Sequence, residues 1–138
     1  PIYDEYDFSW NARLANFGAY KSTNRFSEWN REFQEFVKKG EMPKFQMVRF
    51  GQDHTSGTRA GAPTAKSMVA DNDYAVGKVV EAVSNSPFWK ETVICVLEDD
   101  AQNGLDHVDA HRSTAYVISP YIKPKTHDSR FYNTDSML

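Results

Sequence analysis

Two segments of the chain place apolar residues at the spacing of an amphipathic α-helix. The first, Ser27–Lys39, is followed by Gly40, which can adopt the left-handed conformation that stops a helix. The second is Thr64–Asn85, with Asp71-Asn72-Asp73 in its middle. These three poor helix formers allow a break into two helices, a polar surface turn, or support for a nearby site. The predicted apolar faces are Phe26, Trp29, Phe33, Phe36 and Val37 in the first helix, and Met68, Val76, Val79, Val80 and Val83 in the second.

Three shorter segments have the apolar, β-branched character of strands. They are Phe45–Phe50, Thr92–Leu97 and Ser113–Ser119. The second is apolar at nearly every position, which is typical of a strand buried on both faces of a sheet. Strands that alternate with helices predict an α/β fold, layered, with a mostly parallel sheet and flanking helices.

Composition adds few constraints. The 138 residues are 40% hydrophobic and 25% charged, as expected for one folded domain, and the net charge is only -3. No run of Lys and Arg suggests a nucleic-acid partner, and no apolar run is long enough to cross a membrane. Cys95 is the single cysteine, so an internal disulfide is excluded. It lies in an apolar segment that is predicted to be a strand, which favours a packing role.

Both ends of the sequence suggest a longer protein. The chain begins at Pro1 without an initiator methionine, and it closes on NTDSML, where Thr134 or Asp135 can cap a helix that is just starting. We therefore interpret residues 1–138 as a single domain that is a fragment of a larger one.

Acids and histidines concentrate after the predicted strands. Glu98, Asp99 and Asp100 follow Thr92–Leu97 directly, and Asp53 and His54 follow Phe45–Phe50. Because ligands bind beyond the carboxyl ends of parallel strands, these two groups can converge. The loop before the last strand adds Asp106, His107, Asp109 and His111.

The position of His111 has a topological consequence. If His111 joins the acids that follow Thr92–Leu97, the last strand starts at the site and runs antiparallel to that strand. We therefore expect the last strand of the sheet to be antiparallel.

Carboxylate and imidazole groups at this mixed spacing suit Zn, Mn, Fe, Ca or Mg. If Asp99 and Asp100 are both buried, a cation offsets their mutual repulsion. A calcium loop of the helix–loop–helix type is unlike this stretch, because Ala101 and Ala110 stand at ligand positions. His107 and His111 lack the glutamate of a zinc-protease helix. A solvated acidic loop without a metal is an open alternative.

The sequence lacks the pattern of a serine hydrolase with a Ser-His-Asp triad. The segment after Phe50 lacks the small residues of a nucleophile elbow, although Thr55, Ser56 and Thr58 carry hydroxyl groups.

Three stretches carry a resemblance to a known family: VICVLEDDAQNGLDHVDAHRSTAYVISPYIK, MVRFGQDHTSGTRAG and MVADNDYAVGKVVEAVSNSPFWKETVI. Together they make residues 26–124 similar to the phosphoesterase family, of phospholipase C and acid phosphatase type, in the alkaline phosphatase superfamily. The resemblance implies an alkaline-phosphatase-like fold, present in part, and metal-dependent hydrolysis of phosphate esters through a Ser or Thr nucleophile.

The resemblance also implies roles for residues of this chain. Asp99 and Asp100 correspond to ligands of the metal that activates the nucleophile, and His111 to a later metal ligand. Asp53 and His54 correspond to a second acid-and-histidine element, although here the two are adjacent. His107 corresponds to a group that contacts phosphate or acts as an acid. The implied cofactor is one or more divalent metal ions, such as Zn, Mn, Ca or Fe.

The family's nucleophile and first metal ligands precede the matched part, so the resemblance makes this chain the C-terminal portion of the catalytic domain. We therefore expect little or no esterase activity from the isolated chain. A periplasmic or secreted location is implied by the family. The alternatives are a non-catalytic metal-binding or interaction module that keeps the fold, and a plain α/β domain with a solvated acidic loop.

Overall fold

The structure, a computed structural model, describes residues 25–98 and 113–137 and divides the chain into two compact units, Pro1–Phe88 and Trp89–Leu138. The first unit contains helix α1 (Arg25–Lys39), a 3-10 turn (Gln52–His54) and helix α2 (Ala65–Ser84). The second contains a 3-10 turn (Trp89–Glu91), strands β1 (Ile94–Leu97) and β2 (Ala115–Ile118), and a last 3-10 turn (Thr134–Met137). No helix in the described ranges is long and apolar enough to cross a bilayer.

Helix α1 confirms the first predicted helix. It includes Arg25 and Phe26, so Ser27 lies inside the helix and does not cap its start. At the other end Gly40 has a φ of 72° and donates its N–H to the carbonyl oxygen of Val37 at 3.3 Å. The left-handed conformation, which costs glycine little, ends the helix there.

The apolar face of α1 forms the aromatic core of the first unit. Trp29 stacks on Phe33 with a centroid distance of 4.8 Å, and Phe33 meets the edge of Phe88 at 6.2 Å. Both α1 residues are buried, Phe33 to 1% exposure. The indole N–H of Trp29 donates to Oε1 of Gln46 at 3.0 Å, so the largest side chain of the core has its polar atom satisfied.

Helix α2 confirms the second predicted helix and runs without a break through Asp71-Asn72-Asp73, which excludes the alternative of a division into two helices. Thr64 caps its start, because the Thr64 hydroxyl accepts the N–H of Ser67 at 3.2 Å. Met68, Asp71 and Ala75 are buried at helical spacing, whereas Asp73 is exposed. Packing of this face outweighs the weak helix propensity of the three polar residues, which costs only tenths of a kcal/mol each.

The predicted strand Phe45–Phe50 is also wrong. The segment is irregular apart from an isolated bridge at Met47, although its side chains alternate between exposed and half-buried as a strand's would. Side chains of α1 hold it in place of a strand ladder. The indole N–H of Trp29 donates a hydrogen bond to the side chain of Gln46, and Nη1 of Arg25 donates one to the carbonyl oxygen of Arg49 at 2.7 Å. Period-two alternation therefore occurs here without a strand ladder to any other described residue.

The 3-10 turn Gln52–His54 packs against α2 and leads into a strained residue. Thr55 has φ 59° and ψ 176°, a backbone conformation that glycine occupies readily and residues with a Cβ rarely adopt. The Thr55 hydroxyl accepts the N–H of Gly57 at 3.2 Å, which helps to hold the bend.

Strands β1 and β2 pair antiparallel, with Ile94 opposite Ile118 and Leu97 opposite Ala115. This confirms the expected antiparallel direction of the last strand. Each strand is shorter than predicted, and β2 is largely exposed. The two strands form a two-stranded sheet. The described ranges therefore mix helices with a small antiparallel sheet, and they contain no parallel strand pair.

The last 3-10 turn confirms the helical start predicted near the end of the sequence. Its cap is Asn133, one residue before the expected Thr134. Oδ1 of Asn133 accepts the N–H of Ser136 at 3.1 Å, and the Ser136 hydroxyl accepts the N–H of Asn133 at 3.3 Å. These two reciprocal hydrogen bonds form the pattern of a capping box.

Replacing Phe33 by alanine should destabilise the first unit by about 3–5 kcal/mol, because a fully buried ring is lost from the centre of the aromatic core. Urea unfolding followed by the helical circular dichroism signal measures the change. The matched control is Phe45→Ala, at a ring that is 58% exposed, for which we expect less than about 1 kcal/mol. Equal losses for the two variants would contradict this account of the core.

A comparison of Thr55→Gly with Thr55→Ala measures the cost of the strained backbone separately from the loss of the Thr55 hydroxyl. Both variants lose the hydroxyl that accepts the Gly57 N–H, but only alanine keeps the Cβ that disfavours φ 59°. We expect Thr55→Gly to be more stable than Thr55→Ala by about 1 kcal/mol, after the flexibility cost of glycine is deducted. The same unfolding measurement decides. A more stable alanine variant would show that this backbone is unstrained.

Candidate functional site

The described residues include two of the six predicted site residues. Asp53 and His54 lie side by side on the 3-10 turn, and both are exposed. The other predicted residues, Asp99, Asp100, His107 and His111, lie outside the described residues. No strand precedes the turn among the described residues, so the prediction that Asp53 and His54 follow the end of a strand is wrong.

The turn is oriented by Gln52, the residue before the two predicted ligands. Gln52 is 8% exposed, in contrast to its exposed neighbours Asp53 and His54. Because the turn packs on α2, burial of Gln52 leaves the next two side chains at the surface. His54 Nδ1 lies 3.5 Å from the carbonyl oxygen of Thr55, a long contact that leaves its Nε2 available for a ligand.

Gln52 also has an unmet hydrogen-bonding group. Its buried Oε1 has no hydrogen-bond partner among the described residues. A buried acceptor without a donor costs about 1–3 kcal/mol, so this position favours an added donor such as water. This burial could not be predicted, since a glutamine between glycine and aspartate has the pattern of an exposed loop.

A buried acid lies on the helix against which the turn packs. Asp71 of α2 is 7% exposed, whereas Asp73 is fully on the surface. Asp73 is therefore exposed as the surface-turn suggestion requires, but it lies within an unbroken helix and not in a turn. Within residues 25–98 and 113–137, no three His, Cys, Asp or Glu side chains gather closely enough to hold a metal ion. Asp53 and His54 alone supply two donors, fewer than a protein metal site uses.

The hairpin fixes the two ends of the acidic stretch. Leu97, the last residue of β1, pairs with Ala115, the first residue of β2. The chain therefore leaves β1 and enters β2 at the same end of the sheet. Asp99 is two residues beyond Leu97, and His111 is four residues before Ala115.

The hydroxyl groups near His54 show no sign of activation in the described structure. The Thr55 hydroxyl accepts the Gly57 N–H, and no hydrogen bond among the described residues joins it to a base. A Ser or Thr nucleophile needs such a base or a metal ion to lose its proton. Thr55 therefore has a structural role in the bend.

A cleft of about 470 Å³ between α1 and α2 was missed by the sequence-based reasoning. Its walls include Phe26, Phe33 and Pro87, and its rim carries an ion pair between Lys78 and Glu81 at 2.7 Å. The hydrogen bond that Lys78 donates to the Glu81 carboxylate raises the pKa of Lys78, which keeps the lysine protonated. The described residues that line the cleft include no histidine, and they offer apolar and polar contacts for binding.

Comparison with known proteins gives one match. The model of the Phosphoesterase family matches residues 5–138, nearly the whole chain. No curated protein and no solved structure matches the chain significantly. A match of this extent covers both helices, the 3-10 turn, the hairpin and the acidic stretch between its strands. The chain belongs to the phosphoesterase family.

Proposed function

We propose that the intact protein hydrolyses phosphate esters with the help of bound divalent metal, and that Asp99 and Asp100 are ligands of that metal. The family match over residues 5–138 carries the proposal. The antiparallel hairpin supports it, because β1 and β2 bring both ends of the acidic stretch to one end of the sheet. The nucleophile is a Ser or Thr outside this chain.

The donor groups suit the cofactor. Asp99, Asp100 and His111 offer carboxylate oxygens and an imidazole nitrogen, which Zn, Mn and Fe accept, and the carboxylates also suit Ca. A bound divalent metal supplies positive charge, which favours an ionised nucleophile and offsets charge on the phosphoryl oxygens. The two neighbouring acids hold that metal, and their mutual repulsion raises its affinity for the pair.

His107 and His111 take different parts in the proposal. His111 completes the ligand set from the entrance of β2. His107, in the middle of the acidic stretch, contacts the phosphate or donates a proton to the leaving oxygen. An unperturbed imidazole has a pKa of about 6.5, so it can exchange a proton near neutral pH.

Asp53 and His54 form the binding element for a second metal in this proposal. Both side chains are exposed on the turn, so each can be reached by a ligand. Burial of Gln52 and the bend at Thr55 hold the turn that carries them. The second metal needs further donors from elsewhere, since two groups do not complete a coordination shell.

The variants Asp99→Asn and Asp100→Asn of the intact protein should each lower kcat for a phosphate ester by at least about a hundredfold. Loss of a partner that only orients a metal ligand already costs about 10–100-fold, and here the ligand itself is lost. Chelation should abolish turnover and added Zn, Mn or Ca should restore it. The matched control is Glu98→Gln, at the exposed acid directly before the pair, which should retain activity.

Full activity of Asp99→Asn, or turnover that is indifferent to chelation, would contradict the proposed role of the acids. A protein that binds metal through Asp99 and Asp100 but cleaves no phosphate ester would instead be the non-catalytic metal-binding module.

The second site can be tested by metal content. The variants Asp53→Asn and His54→Gln of the intact protein should bind one metal ion fewer than the unchanged protein, as measured by elemental analysis after dialysis. The control is Asp73→Asn, another exposed acid of the same unit, which should leave the metal content unchanged. Unchanged metal content in the Asp53 and His54 variants would show that these residues hold no metal.

A further inference from the structure

The segment that follows β2 exposes large apolar side chains. Phe131 is 90% exposed and Tyr121 is 74% exposed, and Ile122 and Tyr132 are more than 40% exposed. Single exposed apolar residues are common on proteins, whereas here four large ones lie within twelve residues of sequence. Residues 121–132 are called the aromatic–basic segment below.

The charges of the aromatic–basic segment oppose those of the whole chain. The segment carries Lys123, Lys125 and Arg130 against one acid, Asp128, whereas the chain has a net charge of -3. Arg130 is paired with Asp128. Lys123 and Lys125 are exposed and form no ion pair with a described residue, so their charges are available to a partner.

Asp128 organises the end of the segment. Its carboxylate accepts hydrogen bonds from the side chain and the backbone N–H of Arg130, and from the hydroxyl of Tyr132 at 2.9 Å. The guanidinium of Arg130 lies 5.7 Å from the centre of the Tyr132 ring. Both neighbours of Phe131 are therefore tied to one carboxylate, which leaves the Phe131 ring projecting alone.

Asp128 and Arg130 are both charged near neutral pH. The hydrogen bonds from Arg130 hold the pKa of Asp128 well below its usual range. Since the folded pKa is lowered, the stabilisation is present above the ordinary value near 3.8 and is lost only as the pH falls through the lowered pKa. Phe131 is therefore held in the same way at any pH near neutrality.

Tyr121 is fixed at the other end of the segment. Its hydroxyl donates to the carbonyl oxygen of Lys90 at 2.7 Å, and its N–H donates to the hydroxyl of the buried Ser119. The polar atom of the side chain is satisfied within the protein, while most of the ring faces solvent. An aromatic side chain held in this way can contact an apolar partner without first losing conformational freedom.

From these features we propose that the aromatic–basic segment binds the surface of a bilayer that contains anionic phospholipid. Projecting rings enter the boundary between head groups and acyl chains, and lysine side chains contact anionic head groups. A single-stranded nucleic acid fits less well, because it needs a longer basic track alongside its stacking rings, and the chain has no run of Lys and Arg. The proposal is independent of the metal site.

The test uses the intact protein and sedimentation with vesicles of phosphatidylcholine alone or mixed with phosphatidylserine. We expect binding to the mixed vesicles that weakens as salt is added. Phe131→Ala should lower the partition coefficient about tenfold, since a ring no longer enters the interface. Lys123→Gln and Lys125→Gln should each lower it about fivefold, as expected for about 1 kcal/mol per charge.

Matched controls come from a second lysine–phenylalanine pair, Lys44 and Phe45, which are also exposed. The variants Lys44→Gln and Phe45→Ala should bind vesicles as the unchanged protein does. Hydrolysis of a water-soluble phosphate ester should be the same in all five variants, which separates this surface from the catalytic proposal. Absence of binding to the mixed vesicles would overturn the inference. So would equal binding by segment and control variants, or segment variants that lose binding to a single-stranded oligonucleotide only.

Discussion

The stacking of Trp29 on Phe33 is the contact on which the first unit depends. It lies on the inner face of α1, reaches Phe88 through the edge of Phe33, and reaches the segment after α1 through the Trp29–Gln46 hydrogen bond. Aromatic rings bury a large area with few rotatable bonds, so this cluster supplies much of the apolar burial in a small unit. The irregular segment that leads to the 3-10 turn is held by this cluster and by the Arg25–Arg49 contact, and both originate on α1.

The helices could be predicted because their signals are local. Trp29 and Phe33 are four residues apart, and the pattern of apolar positions alone identifies that spacing. Interruption of α2 at Asp71 was one alternative that propensity allowed, but each polar residue costs only tenths of a kcal/mol while Met68 and Ala75 are buried on the same helix. The sequence did not indicate that a carboxylate would share the buried face with them.

The sheet and the turn depend on contacts that are distant in sequence. Phe45–Phe50 has the alternation of a strand, but a strand also needs a ladder of backbone hydrogen bonds, and among the described residues the contacts of this segment are with side chains of α1. The positive φ of Thr55 could not be predicted from the sequence either, because β-branched residues rarely adopt positive φ. The antiparallel direction of β2 was predictable for a different reason. It followed from the requirement that His111 and the acids after β1 meet at one end of the sheet.

Electrostatics divides the second unit into parts with different chemistry. Acids follow β1, whereas lysines and exposed aromatic rings follow β2. Repulsion between neighbouring carboxylates favours a bound cation, and unpaired lysines favour an anionic surface. The charge pattern along the sequence is therefore more informative about function than the net charge, which indicated neither a cation nor an anionic partner.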